Sequence, residues 1–174
     1  MKRLKRIIRY SLPLYIVLLL TSVLPNAGWA TRVRGVLISP FVGKCGTKFR
    51  VAKGVTLINT EGLSIGDNVY IGHNVWINSI GKCTINSNVL IGPMTLISTS
   101  NHQWNGNSFN GVSKTSPVVI GEGTWVASHC IITAGSEIGN GTLVAANTLV
   151  TGKFPNHVLL AGTPCQIKKN LNNA

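Results

Sequence analysis

Acidic side chains are almost missing from this chain. Four carboxylates, Glu61, Asp67, Glu122 and Glu137, stand in 174 residues, and none precedes Glu61. The interval between Asp67 and Glu122 therefore cannot supply the acid of a serine–histidine–acid triad. Clustered cysteine is missing too. Cys45, Cys83, Cys130 and Cys165 lie far apart with no C-x-x-C spacing. That argues against a zinc site, leaves no metal expected, and suits small buried residues in a reducing compartment. Aromatic residues are few and show no stacking pattern, which disfavours nucleic acid as a partner. The apolar run Leu12 to Leu24 is short, because a spanning helix needs about 20 apolar residues.

Base is in excess. Eleven of the 16 Lys and Arg lie between Lys2 and Lys53, so the N-terminal third is suited to a negative partner such as a phospholipid surface. The stretch "MKRLKRIIRYSLPLYIVLLLTSVLPNAGWA" admits three readings. It is a signal peptide cleaved after "GWA", an interfacial anchor, or a helix packed on the body.

From residue 65 the chain can be written in sixes, "IGDNVY IGHNVW IN", then "INSNVL IGPMTL IS", then "IGEGTW VASHCI ITAGSE IGNGTL VAANTL VT". The recurring aliphatic residues are Ile65, Ile71, Ile77, Ile85, Ile91, Ile97, Ile120, Val126, Ile132, Ile138, Val144 and Val150, with Val51 and Leu57 upstream. Two steps, 57 to 65 and 77 to 85, are eight residues long and fit corners that bulge. The period is neither helical nor that of simple strand alternation. It fits an all-β parallel β-helix, in which each short strand buries one aliphatic side chain and Gly, Asn or Asp turns the corner. About five coils are expected. An ordinary β-sandwich is the competing fold.

The motifs "STSNH", "SPVVIGEGTWVASHCII", "AGSEIGNGTLVAANTLVTG" and "LLAGTPCQI" resemble those of the hexapeptide-repeat acyltransferases. The similarity is greatest to the galactoside and maltose O-acetyltransferases and the polysaccharide O-acetyltransferases, and covers residues about 50 to 170. The resemblance implies a left-handed coil, acetyl-CoA as cosubstrate, and a homotrimer with active sites between neighbouring prisms.

A regular prism has no pocket, so function must come from loops that break the repeat or from grooves between prisms. One long insertion, at 98–117, does so. By resemblance its His102 is the catalytic base. A histidine titrating near neutral pH suits deprotonation of a sugar hydroxyl as it attacks a thioester. Asn78 matches an asparagine of the acceptor pocket, where an amide binds the acceptor or the tetrahedral oxyanion. Trp104 is a candidate to stack on a sugar ring. Ser128, Ala146 and Thr151 match positions that contact acetyl-CoA, mostly through backbone, and Lys153, Lys168 and Lys169 are candidates for its phosphates. Relatives often carry Arg where Gln166 stands. His73, His129 and His157 read as ordinary surface or structural residues.

The expected activity is O-acetyl transfer from acetyl-CoA to a hydroxyl of a sugar, glycan or lipid-linked polysaccharide precursor. Acylation of a small amine or amino acid, and a structural β-helix without catalysis, are the alternatives. A cytoplasmic cosubstrate favours the interfacial reading of the N-terminus. Residues 1–35 then form a membrane-associating segment on the inner face of the cell membrane, and residues 36–174 the acyltransferase domain with its C-terminal tail.

Overall fold

The computed structural model describes residues 2–111 and 113–173. The chain opens with helix α1 (Lys2–Arg6), a π-helical turn (Ile7–Ser11), and helices α2 (Leu12–Leu20) and α3 (Gly28–Ile38). Then it winds. The first coil is β1 (Lys44–Cys45), β2 (Arg50–Val51) and β3 (Thr56–Ile58). The second is β4 (Leu63–Ile65), β5 (Tyr70–Ile71) and β6 (Trp76–Asn78), and the third β7 (Cys83–Ile85), β8 (Leu90–Ile91) and β9 (Leu96–Ser98). After an inserted hairpin, β10 (Ser100–His102) and β11 (Ser113–Thr115), comes the fourth coil, β12 (Val118–Ile120), β13 (Trp125–Val126) and β14 (Ile131–Ile132). The fifth is β15 (Glu137–Ile138), β16 (Leu143–Val144) and β17 (Leu149–Val150). Strands β18 (Lys153–Phe154) and β19 (Val158–Ala161) make two sides of a sixth coil, and β20 (Gln166–Asn170) returns antiparallel beside β19.

Successive coils pair in parallel, giving three faces: β1-β4-β7-β12-β15-β18, β2-β5-β8-β13-β16-β19 and β3-β6-β9-β14-β17. The expected β-helix is therefore present, one partial coil longer than the repeat suggested. All twelve recurring aliphatic positions are buried in one continuous core. A second inward position, two residues earlier, is filled by smaller side chains such as Val69, Val75, Val89, Thr95, Thr124, Cys130 and Thr148, also buried. Cys83 is of this kind, and burial pushes its thiol up to about 12.

The corners explain the Asn and Gly of the repeat. On the corner between the first and second faces, Lys48, Asn68, Asn88, Gly123, Gly141 and His157 all have φ between 53° and 67°. That left-handed conformation is cheapest for Gly and tolerable for Asn. Asn68 donates through Nδ2 to Asn88 Oδ1 at 3.0 Å, and Asn88 to Glu122 Oε1 at 3.3 Å, so amides tie coil to coil. At Gly66 a Cβ would lie 2.5 Å from the Ser87 nitrogen of the next coil, closer than a Cβ can sit.

The N-terminal helices close the first-coil end of the prism. Leu14 is 2% exposed and joins the same core as Ile38, Val42 and Phe49. Helix α3 packs on β2, where a Cβ on Gly35 would overlap the Phe49 carbonyl oxygen. Arg34, 1% exposed, donates through Nε and Nη2 to the carbonyls of Thr21, Leu24 and Pro25. A buried cation thus takes up the free carbonyls beyond α2. The boundary expected at residue 35 falls inside α3.

Candidate active site

The corner between the third and first faces carries Asn78, Thr151 and the segment with His102 and Trp104. Here the two eight-residue steps of the sequence become turns. In the first coil the turn is a 3₁₀ helix, Thr60–Gly62. In the third coil the same corner extends into the β10–β11 hairpin, with His102 paired to Ser113, Asn101 to Lys114 and Ser100 to Thr115. The insertion is therefore a short two-stranded arm rather than an unstructured loop. It is anchored at Thr99, which is fully buried. Thr99 Oγ1 donates to the Asn78 carbonyl at 2.8 Å and accepts from the Gly81 nitrogen at 2.8 Å. Ser116 N–H donates to the Thr99 carbonyl at 3.0 Å.

His102 is exposed at the end of β10, and among the described residues no hydrogen bond reaches its ring. Trp104 stands on the arm with its ring 5.3 Å from that of Phe109, at a tilt of 55°. Both rings are open to solvent, at 58% and 60% exposure. Phe109 was not singled out in the sequence, since only the turn of the arm brings it to Trp104.

Asn78 ends β6 one coil below the arm, opposite Ser98. Its Oδ1 accepts from Asn59 Nδ2 at 2.7 Å and from the Ile80 nitrogen at 3.3 Å. With the oxygen so occupied, the amide nitrogen is left to donate. Asn59 and Thr99, which fix this side chain and the base of the arm, are the residues that sequence reasoning missed. "STSNH" contained Thr99, but nothing in the spacing marked it as the buried one.

The cofactor candidates divide. Ser128 and Ala146 lie on the corner between the second and third faces, one coil apart, where the Asn147 nitrogen donates to the Ser128 carbonyl at 3.1 Å. Thr151 lies across the third face, on His102's own corner, just after Val150, which pairs with Ile132. Lys153 is on the first face, its Nζ 2.9 Å from Glu137 Oε2. Lys168 and Lys169 are on β20, exposed, with Lys168 Nζ 3.2 Å from Gln166 Oε1. One prism thus brings Asn78, Thr151 and the His102 arm to one corner. It places Ser128 and Ala146 on another corner and the lysines on two further surfaces. Among the described residues, no group of three or more His, Cys, Asp or Glu is placed to hold a metal ion.

The outward side chains differ by face. The first face is mostly polar, with Lys44, Ser64, Thr84, Val119, Glu137 and Lys153 in register. The other two carry apolar columns, Tyr70–Leu90–Trp125–Leu143 and Trp76–Leu96–Ile131–Leu149.

A three-sided parallel coil with one aliphatic residue per six defines a hexapeptide-repeat β-helix. The model of the family "Bacterial transferase hexapeptide (six repeats)" matches residues 117–152. It is 32% identical to galactoside O-acetyltransferase of Escherichia coli K12 over 117 residues, 63% of this chain and 58% of that relative. It is 28% identical to the putative colanic acid biosynthesis acetyltransferase WcaF of the same organism over 136 residues, 78% of this chain and 74% of that one. A solved galactoside acetyltransferase in complex with coenzyme A superposes with a TM-score of 0.82 at 27% identity, covering 93% of this chain and 80% of the other.

Proposed function

We propose that the chain transfers an acetyl group from acetyl-CoA to a hydroxyl of a sugar, glycan or lipid-linked polysaccharide precursor, with His102 as general base. The observation that carries this reading is the arm. At one corner the repeat is interrupted by a short arm that carries an exposed histidine and two aromatic rings, above a coil that ends in an amide with its nitrogen left to donate. Likeness to a galactoside acetyltransferase that binds coenzyme A supports acetyl-CoA as the donor.

The chemistry follows from these groups. The imidazole of His102 takes the proton of the acceptor hydroxyl as its oxygen attacks the thioester carbonyl. The carbonyl oxygen gains negative charge, and Asn78, whose Oδ1 is taken up by Asn59 and the Ile80 nitrogen, would offer its amide N–H to that charge or to the acceptor. Collapse expels the coenzyme A thiolate, which takes the proton back from the imidazolium. Trp104 and Phe109 offer flat apolar area to a pyranose face. Ser128, Ala146 and Thr151 offer backbone and small side chains to the amides of the pantetheine arm, and Lys153, Lys168 and Lys169 offer charge to the nucleotide phosphates.

The active site is proposed to form between copies in a homotrimer. Ser128 and Ala146 stand on a different corner from His102, and two of three faces show apolar columns that a neighbouring prism would cover. The enzyme is further proposed to work as a peripheral protein on the cytoplasmic face of an anionic membrane. Among the described residues, no helix is long and apolar enough to cross a membrane.

The test is thiol release from acetyl-CoA with galactosides, maltose or a lipid-linked glycan as acceptor. Release that depends on a neutral sugar supports the reading. Release with amino sugars or amino acids alone would replace it with N-acylation, and no release with any acceptor would remove it.

A further inference from the structure

The strongest unassigned feature lies at the first-coil end, away from the arm. Helix α2 is apolar all round. It turns Leu14, Val17 and Leu18 to the prism and leaves Leu12, Tyr15, Ile16, Leu19 and Leu20 exposed. Helix α3 buries Ala30, Gly35 and Ile38 and exposes Trp29, Val33, Val36 and Leu37. These outward residues recur at a spacing of four, three and one, a single apolar stripe. Such an area in water calls for a cover.

Beside that stripe, between α3 and β2, opens a cleft of about 530 Å³ lined by Arg32, Val36, Lys48, Phe49, Arg50 and Asn68. Three cations line it and no carboxylate does. The neighbouring acid, Asp67, is engaged through Oδ1 by the Thr47 nitrogen at 2.7 Å and the Thr47 hydroxyl at 2.9 Å. Arg50 stacks over the Tyr70 ring with its guanidinium carbon 5.5 Å from the centroid, which holds its donors in a fixed direction.

We propose that this cleft binds the phosphate headgroup of an anionic membrane lipid, with the outward stripe of α3 entering the bilayer beside it. Charge complementarity argues for the phosphate, and Val36 for the lipid. Val36 lines the cleft and also belongs to the stripe, at 69% exposure, so a headgroup held by Arg32, Lys48 and Arg50 would send its acyl chains along α3. The exposed apolar residues of α2 lie at the same end. The inference rests on the membrane location proposed above and is independent of the acyl-transfer chemistry.

The experiment is flotation of the full chain with vesicles of phosphatidylcholine alone and of phosphatidylcholine with phosphatidylglycerol. Wild type is expected to float with the anionic vesicles and to stay behind with the neutral ones. Replacing Arg32, Lys48 and Arg50 together by Gln is expected to weaken binding roughly a hundredfold, at about fivefold for each basic residue near the surface. The residual binding should depend less steeply on salt, since the other basic residues of the N-terminal third remain. Val33→Ser with Val36→Ser is expected to weaken binding by roughly tenfold or more while keeping the salt dependence. Thermal melting and thiol release from acetyl-CoA with a soluble acceptor confirm that each variant is folded.

Failure of wild type to float with any vesicle would overturn the membrane location and the cleft together. Equal flotation of wild type and the triple Gln variant would overturn the cleft alone. Release of the protein from anionic vesicles by inorganic phosphate, beyond what chloride does at equal ionic strength, would reassign the cleft to soluble phosphate.

Discussion

Thr99 and His102 share a corner but have opposite surroundings, and their substitutions should separate accordingly. His102 is exposed and carries little packing. His102→Ala is expected to leave the thermal melt unchanged and to lower turnover by roughly 10²–10⁴-fold, the usual contribution of a general base. Wild-type turnover in that variant would remove His102 from the reaction. Thr99 is buried and its hydroxyl both donates and accepts. Thr99→Val leaves the Gly81 N–H without a partner and the Asn78 carbonyl with the backbone N–H of residue 99 alone, so denaturant unfolding should show a loss of about 1–3 kcal/mol. The sequence made His102 visible because the six-residue rhythm stops around it. It could not make Thr99 visible, because a hydroxyl becomes structural only where the coil turns it inward. Phe109 was hidden for the same reason, since its neighbour Trp104 is five residues away in sequence.

Among the elements, strands and helices stand differently to the sequence. The strands were legible. A residue such as Ile132 recurs in step with its neighbours and is buried with them. Ile132→Asp puts a charge with no partner into a closed apolar prism, and the expected outcome is an insoluble or unfolded chain by circular dichroism. A soluble chain with the wild-type melt would mean that the inward register is not as described. The partial sixth coil was less legible, because the step from Val150 to Phe154 is four residues instead of six and Pro155 follows where the hexad carries Gly or Ala. The helices were legible as apolar but not as placed. Leu14 reaches the core through an end of the prism that no periodicity describes, and Arg34 is basic in sequence yet buried in the fold. Arg34→Ala removes the donors that meet the Thr21, Leu24 and Pro25 carbonyls. The loss is expected to be on the order of 3 kcal/mol, since hydrogen bonds from a charged group exceed neutral ones. A chemical denaturation curve displaced by far less would make the contact incidental.

For the whole molecule, the feature with the widest consequence is that one end of the prism is plugged by α-helices, while among the described residues the other carries β20 and a single 3₁₀ turn, Leu171–Asn173. A stack of coils held by nearest-neighbour contacts behaves as a one-dimensional ladder, and such ladders come apart from whichever end is held more weakly. At the first-coil end, opening must withdraw Leu14 and Arg34 from their sites. At the last-coil end, β20 lies antiparallel on β19 with its five residues exposed, and little has to be withdrawn. The ladder should therefore fray in one direction. In amide hydrogen exchange, protection is expected to be lowest at Lys168 and Lys169, to rise through the fifth and fourth coils, and to be greatest for β4 to β9. Uniform protection, or loss beginning at β1, would contradict it. Directional fraying also orders the chemistry in time. Under heat or denaturant the lysines of β20 and the Ala146 corner would be lost while Asn78 and the base of the arm were still folded. On the proposed assignment of these residues, the grip on nucleotide phosphates would go before the geometry around the acceptor.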